Sequence, residues 1–104
     1  MTLYAVTYRY VDDDVRLAEL RPAHRAHLTG LFEAGSLVAS GPLGRVGAEE
    51  APRPPGALIV VRANYPDEAL EILDADPFWM RGLIAHRDAR EWTLVNGGFG
   101  PASS

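Results

Sequence analysis

The stretch LYAVTYRY, residues 3–10, is rich in aromatic and β-branched side chains, a composition that favours β-strands. Successive side chains of a strand point to opposite faces of the sheet. Two sets of residues would therefore lie on opposite faces: Tyr4, Val6, Tyr8 and Tyr10 on one, and Leu3, Ala5, Thr7 and Arg9 on the other. The stretch predicts a first strand whose aromatic side chains need a covering layer.

Three further segments have strand character. They are SLVASGP at 36–42, GALIVVRA at 56–63 and DAREWTLV at 88–95. The run at 56–63 is almost continuously apolar, which indicates burial on both faces of the sheet. Between the second and third strands, LGRVGAEEAPRPP at 43–55 is rich in proline, glycine and charge, so it predicts a solvated hairpin loop.

The main helix is predicted from about residue 21 to residue 34. Pro22 suits the first turn of a helix, where its missing N–H is not needed, and Gly35 suits the position just past the end. The preceding VRLAEL at 15–20 predicts a separate, shorter turn. Three aspartates at 12–14 would place their negative charge at the positive N-terminus of that turn or helix.

Two shorter helical segments follow the third strand. YPDEALEILDA at 65–75 places Pro66 and two acidic residues in its first turn, as helix N-termini prefer. In DPFWMRGL, Asp76 is a candidate N-cap and Pro77 a candidate first helical residue. This segment predicts a short helical turn that ends near Gly82.

The predicted order is β, α, β, β, α, β, which is that of a ferredoxin-like α+β domain with a four-stranded antiparallel sheet and helices on one face. At 104 residues the chain has the length of one domain. We assign residues 1–96 to this domain and residues 97–104 to a flexible C-terminal tail. A second copy of the chain commonly covers a sheet face that lacks helices, so we expect a homodimer.

Charge and composition make several classes of function unexpected. Ten basic and fourteen acidic residues give a net charge of −4, and every basic residue is an arginine, scattered along the chain, so a nucleic-acid partner is not expected. The absence of cysteine excludes disulfides and thiol nucleophiles. With no signal sequence or long apolar run, we expect a cytoplasmic protein without a membrane partner. The glycines of GPLGRVG lack the context of a phosphate-binding loop, so no nucleotide or flavin cofactor is expected.

Five segments, together with Leu28 and Leu31, resemble the YCII-related family of the dimeric α+β barrel group. In chain order the segments are RPAH at 21–24, AGSLVASGP at 34–42, ALIVVRA at 57–63, EAL at 68–70 and DADPFWMRGL at 74–83. The resemblance implies a ferredoxin-like dimer with a pocket in each protomer, and an active-site histidine and aspartate that match His24 and Asp76. One characterised branch of the family is a dehydrochlorinase of a chlorinated hydroxyquinol, and more distant relatives include lactone isomerases.

A pair formed by His24 and Asp76 would suit acid/base chemistry. A carboxylate bonded to one imidazole nitrogen fixes the tautomer and makes the other nitrogen a better base. The alternative is structural: Asp76 would cap the short helix, and His24 would be an interior imidazole. A metal bound by His24 and His27 is not expected, because only His86 remains as a further histidine and no H-E-x-x-H pattern is present. His27 would then be an edge residue or a neighbour of the pair.

Further residues are candidates for substrate binding: Arg21, Tyr4, Ser40, Phe78 and Trp79. Arg21 could pair with Asp76 or with an anionic substrate, and the aromatic rings could form an apolar wall for a ring-shaped molecule. Ser40 could direct its hydroxyl at a ligand, but the chain has no G-x-S-x-G elbow for a serine nucleophile. The alternatives are a solvated helix end for the arginine and core or dimer packing for the rings.

We therefore expect a cofactor-independent lyase or isomerase that acts on a small metabolite, aromatic or carbonyl-bearing, with His24 as general acid and base oriented by Asp76. The alternative is a non-catalytic dimeric module that binds a small ligand or has a structural role, because a fold does not fix a function. A cofactor-independent monooxygenase of the same superfamily is a third alternative, which rests on fold analogy alone.

Overall fold

The computed structural model describes residues 1–44 and 55–99. In chain order, the elements are β1 (Thr2–Tyr10), α1 (Asp14–Glu33), β2 (Leu37–Leu43), β3 (Gly56–Ala63), α2 (Pro66–Ile72), α3 (Pro77–Met80) and β4 (Ile84–Glu91). The strands form one antiparallel sheet in the order β2-β3-β1-β4. This arrangement confirms the predicted ferredoxin-like α+β fold.

The two faces of the sheet differ in what covers them. On β1, Tyr4, Val6, Tyr8 and Tyr10 are buried in the core. Leu17 and Leu28 from α1 and Phe78 from α3 belong to the same core cluster, so this inner face is the one that the helices cover. The alternate residues of β1 lie on the outer face, where Thr7 and Arg9 are exposed.

Helix α1 begins earlier than the sequence predicts. It is one continuous helix from Asp14, with Pro22 inside it, so the separate turn over 15–20 and a start at about residue 21 are wrong. A proline removes only one backbone hydrogen bond, and Leu17 and Leu28 are buried on either side of it. Burial of one continuous apolar side therefore outweighs the local preference of the proline.

The ends of the helices follow their capping residues. Asp13 caps α1 by accepting a hydrogen bond from the backbone N–H of Arg16 at 3.1 Å, so the acidic run lies at the helix N-terminus as predicted. Gly35, with φ of 88°, and Gly82, with φ of 73°, follow α1 and α3, which confirms both predicted helix ends. Helix α2 begins at Pro66 and is three residues shorter at its end than the prediction of 65–75.

Strand β4 lies earlier in the chain than the predicted 88–95. It spans Ile84–Glu91 and pairs with β1 along the edge of the sheet. An edge strand exposes many of its side chains, and the mostly polar IAHRDARE gives little apolar alternation for a prediction to detect. The backbone N–H of Trp92 still donates to the carbonyl of Leu3, and beyond it the ring of Phe99 packs edge-on against Trp92 at 5.8 Å.

A close approach between β1 and β3 requires glycine at the start of β3. A Cβ atom built on Gly56 would lie 2.0 Å from the backbone oxygen of Tyr8. Gly56 therefore allows the central strands to stay paired where β3 begins.

Two predictions fall mainly on residues outside those described. They are the solvated loop at 43–55, of which 45–54 are not described, and the flexible tail at 97–104, of which 100–104 are not described. Among the helices of the described ranges, none has the length and apolar character needed to cross a membrane.

Candidate functional site

A buried histidine and a buried carboxylate meet between α1 and α3. The Nδ1 atom of His24 lies 2.8 Å from both carboxylate oxygens of Asp76, and the two residues are 6% and 0% exposed. Because a carboxylate can only accept, we assign the proton to Nδ1, which donates it to Asp76. In the neutral ring this leaves Nε2 with a free lone pair, so that proton transfer at Nε2 is the chemistry available to the pair.

The short segment before and within α3 supplies the support for this pair. The carboxylate of Asp76 also accepts a hydrogen bond from the backbone N–H of Phe78 at 2.9 Å. The same carboxylate therefore caps α3 and binds the imidazole. The Phe78 ring stacks on the His24 ring, with centroids 4.0 Å apart and planes at 6°. The Tyr10 ring packs edge-on against the Phe78 ring, with centroids 5.2 Å apart. Rotation of the imidazole is therefore restricted both by the carboxylate and by the ring beneath it.

A cavity of about 350 Å³ opens beside His24, between α1 and the adjoining ends of β2 and β3. Polar and apolar side chains both line it, among them Tyr10, Arg21, Arg25, Leu28, Ser40 and Ile59. This volume suits a small metabolite. A second, more open groove of about 440 Å³ lies further along α1 and β2. It does not include His24, so we take the smaller cavity as the candidate site.

Two tyrosines close to the carboxylate remain neutral over the physiological range. Burial, and secondarily the negative charge of Asp76, raises the pKa of Tyr10 to about 12, although the cation of Arg21 opposes the shift. Burial and Asp76 also raise the pKa of Tyr8, against the influence of Arg87. Tyr10 lines the cavity and can therefore donate a hydrogen bond from a neutral hydroxyl there.

The Tyr8 hydroxyl is fully buried and has no hydrogen-bond partner among the described residues. The guanidinium of Arg87 lies close enough to the Tyr8 phenol to oppose the rise in its pKa, and it has two further contacts. It stacks on the ring of Trp79 at 3.5 Å and forms an ion pair with Asp74. Arg87, Trp79 and Asp74 therefore lie on the α2 and β4 side of the protein, and none of them lines the cavity.

The predicted substrate-binding residues divide into two groups. Arg21 and Ser40 line the cavity together with His24, and Phe78 lies behind the imidazole. The remaining two, Tyr4 and Trp79, do not line the cavity. Tyr4 is buried in the core, and the partly exposed ring of Trp79 contacts the Arg87 guanidinium.

Sequence reasoning missed two polar lining residues, Arg25 and Tyr10. Helical spacing could have indicated Arg25, which is four residues after Arg21 and therefore on the same side of α1. Tyr10 shares a strand face with the other buried tyrosines, and no local signal distinguishes it from them. Its position at the end of β1, where the cavity lies, depends on the fold.

His27 does not take part in the pair. Its Nε2 atom is buried and has no hydrogen-bond partner among the described residues. In residues 1–44 and 55–99, no three histidine, aspartate or glutamate side chains lie close enough together to bind a metal ion.

The YCII-related domain model matches residues 2–93. Among solved structures, the chain is similar to 5-chloro-2-hydroxyhydroquinone dehydrochlorinase (TftG) from Burkholderia phenoliruptrix AC1100, solved in complex with 2,5-dihydroxybenzoquinone. The two share 21% identity with a TM-score of 0.69, over 88% of this chain and 93% of that chain. At this identity the likeness shows a common fold.

Two further structures are similar over most of their length with lower TM-scores. An uncharacterized NIPSNAP domain protein from Burkholderia xenovorans has 17% identity and a TM-score of 0.43, over 97% of this chain and 99% of that chain. Protein Atu4242 from Agrobacterium tumefaciens has 19% identity and a TM-score of 0.40, over 91% and 94%. No curated protein matches the sequence. Because the family model covers residues 2–93, nearly the whole chain, the protein belongs to the YCII-related family.

Proposed function

We propose that this protein is a cofactor-independent enzyme of the lyase or isomerase type, in which His24 moves a proton on a small metabolite. The observation that carries the proposal is the buried contact of 2.8 Å between His24 Nδ1 and both oxygens of Asp76, beside a cavity of metabolite size. A structural imidazole needs one partner, but it does not need to line a cavity. The pairing and the cavity together favour a chemical role.

The proposed reaction begins with removal of a proton from carbon. His24 Nε2 takes a proton from a saturated carbon next to a carbonyl, which a hydroxylated ring offers in its keto form, and the electrons of the broken C–H bond move onto the carbonyl oxygen. Asp76 keeps Nδ1 protonated and stabilises the imidazolium that forms. Tyr10, which lines the cavity and is neutral below its raised pKa, would donate a hydrogen bond to the developing oxyanion.

The intermediate then has two possible outcomes. In an isomerase, the imidazolium returns the proton to a different carbon of the same molecule. In a lyase, the electrons on oxygen re-form the carbonyl, a double bond forms between the deprotonated carbon and its neighbour, and that neighbour loses a leaving group such as chloride. The imidazolium then releases its proton to water. Neither route changes the oxidation state of the protein or requires an electron carrier, so side chains of this chain suffice for both.

The fold shared with TftG guides the choice of a first substrate. That enzyme is named for dehydrochlorination of 5-chloro-2-hydroxyhydroquinone and was solved with 2,5-dihydroxybenzoquinone. Hydroxylated quinols and quinones are small planar molecules, a class that a cavity of about 350 Å³ can hold. We therefore take this class as the first to test.

We also propose that the protein is a homodimer through the outer face of the sheet. Two half-buried apolar side chains on this face, Ala5 and Leu58, lie beside Trp92, which is 38% exposed. A second copy would remove this surface from water. Sedimentation equilibrium at micromolar concentration tests the proposal: a mass of about twice the 11.3 kDa chain supports it, and a monomer contradicts it.

Proton abstraction is tested in D₂O with hydroxyquinols, including 5-chloro-2-hydroxyhydroquinone, and small ketones and lactones. Proton NMR follows the exchange of each C–H, and a chloride electrode follows elimination. We expect turnover by the wild type and a loss of about 10²–10⁴-fold for His24→Asn. The matched control is His27→Asn, which changes the neighbouring histidine and should keep its rate.

A His24→Asn variant that is folded by circular dichroism and retains the wild-type rate would contradict the proposal. Wild-type protein that binds compounds of this panel, but neither exchanges nor eliminates from any of them, would favour the non-catalytic binding module instead.

A further inference from the structure

The charge of the cavity differs from that of the chain as a whole. The protein carries a net charge of −4, yet the described residues that line the cavity include two arginines, Arg21 and Arg25, and no aspartate or glutamate. The Asp76 carboxylate behind the cavity wall is fully buried and bonded to His24. Of the described residues that a molecule in the cavity would contact, the charged ones are therefore cationic.

Among the described residues, neither guanidinium has a partner that would neutralise it. Within residues 1–44 and 55–99, Arg21 and Arg25 form no ion pair and no hydrogen bond, whereas Arg87 pairs with Asp74 and Arg16 donates to the carbonyl of Arg81. Like charges four residues apart on a helix repel each other. Arg21 is half-buried and Arg25 is exposed, so water weakens this repulsion, and an anion between the two groups would replace it with two attractive contacts.

We propose that the substrate of this site is an organic anion, and that Arg21 and Arg25 bind its carboxylate while His24 acts on the adjoining carbon skeleton. The inference rests on the proposed function for the identity of the cavity as the substrate site. Helical spacing supports it, because positions 21, 24 and 25 lie on one side of α1 and all three residues line the cavity.

The other lining groups are compatible with such a substrate. Guanidinium groups match the two oxygens of a carboxylate in a fork geometry. Leu28, Pro42 and Ile59 offer an apolar surface for the carbon skeleton, and this surface lowers the local dielectric and strengthens the charge pairing. Tyr10 is neutral at physiological pH, so it adds a hydrogen-bond donor without repelling the anion.

The test compares benzoate with benzamide, which has the same shape and no charge. Isothermal titration calorimetry measures both on the wild type and on Arg21→Gln, Arg25→Gln and the control Arg81→Gln. Arg81 is exposed at the end of α3, outside the cavity, so its substitution removes the same charge from elsewhere. Thermal unfolding checks that each variant is folded.

We expect the wild type to bind benzoate at least about tenfold tighter than benzamide, the ratio that one charge-assisted contact supplies. Arg21→Gln and Arg25→Gln should each weaken benzoate binding by about tenfold and leave benzamide binding unchanged. Arg81→Gln should behave as the wild type. Added salt should weaken the binding of benzoate only.

Equal binding of the two probes by the wild type would overturn the inference, as would tight benzoate binding by both arginine variants. The variant His24→Asn separates this outcome from failure of the proposed function. If it keeps the preference for benzoate, the arginines bind the anion whatever the result of the turnover assay. If it loses that preference while the arginine variants keep it, an imidazolium binds the anion and the arginine assignment is wrong.

Discussion

The two faces of one sheet carry similar interactions at different degrees of burial. On the inner face, the Asp76 carboxylate binds His24, and Phe78 packs edge-on against Tyr10. On the outer face, Asp88 accepts a hydrogen bond from Thr7, and Trp92 packs edge-on against Phe99. A carboxylate contact and a perpendicular aromatic pair can therefore be compared between the two faces.

The difference lies in how much water reaches each pair. The inner carboxylate is fully buried, while Thr7 on the outer face is exposed and Asp88 is half-buried. Polar interactions strengthen where water is excluded, and an unmatched polar group there is costly. The inner contacts should therefore control both activity and stability, and the outer contacts should contribute little to either in a single protomer.

The largest expected effect is on catalysis, from Asp76→Asn. An amide cannot stabilise the imidazolium as a carboxylate does, and it can hold His24 in the wrong tautomer, a change that costs about 10⁴-fold in kcat in serine proteases. The measurement is kcat/KM with a substrate found in the exchange panel. The matched outer variant, Asp88→Asn, should stay within about twofold of the wild type. An Asp76→Asn rate within tenfold of the wild type would show that burial of the carboxylate has no chemical role.

The second effect is on stability, from Phe78→Ala. This ring is almost fully buried between the imidazole and Tyr10, so its removal should lower the free energy of unfolding by about 3–5 kcal/mol. Phe99→Ala removes the outer ring, which is half-buried, and should cost about 0.5 kcal/mol. Urea unfolding measures both. Equal losses would mean that the contact between Phe99 and Trp92 stabilises the domain as much as the core contacts of Phe78 do.

The sequence predicted the architecture because the strongest patterns lie in its central strands. The alternation of β1 and the apolar run of β3 specify the middle of the sheet, and β3 occupies Gly56–Ala63 as predicted. Local rules failed where tertiary burial decided the outcome. Pro22 lies inside α1 because inward residues before and after it are buried together, and β4 is an edge strand with a weak apolar pattern.

The sequence pointed to both members of the buried pair, but local patterns did not predict their contact. His24 and Asp76 lie 52 positions apart, so no spacing within one element indicates that they meet. The resemblance to the family supplied that pairing. The D-P-F order also predicted Asp76 as an N-cap. In the structure the same carboxylate caps α3 and contacts His24. Which aromatic residues line the cavity depends on how the strands end, and Trp79 accordingly packs on Arg87 instead.

A smaller effect should follow pH. The ordinary pKa of 10.0 for the Tyr10 phenol rises to about 12 in the fold because of burial. Between these values the unfolded chain has lost the proton and the folded chain keeps it, so the free energy of unfolding falls as pH rises from about 10 to 12. Tyr10→Phe should remove part of this slope.

The measurement for this prediction is guanidinium unfolding at pH 9 and pH 11. Tyr65→Phe is the control, because it removes a phenol that is 50% exposed. A slope that Tyr10→Phe leaves unchanged would mean that Tyr10 ionises in the folded protein as it does in the unfolded chain. Tyr8, whose pKa burial also raises, should account for the part of the slope that remains in Tyr10→Phe.

The smallest expected effect concerns His27, a polar residue of α1 that is partly buried without a partner for its Nε2 atom among the described residues. This atom is buried, and its loss of water is uncompensated. His27→Leu removes that group and should raise the free energy of unfolding by about 1 kcal/mol, with turnover unchanged. A loss of stability in urea unfolding would show that His27 has a polar partner in solution, whereas loss of turnover in the folded variant would place both histidines in the chemistry. A small gain would mean that, of two imidazoles three residues apart on one helix, only the one facing Asp76 has a polar role.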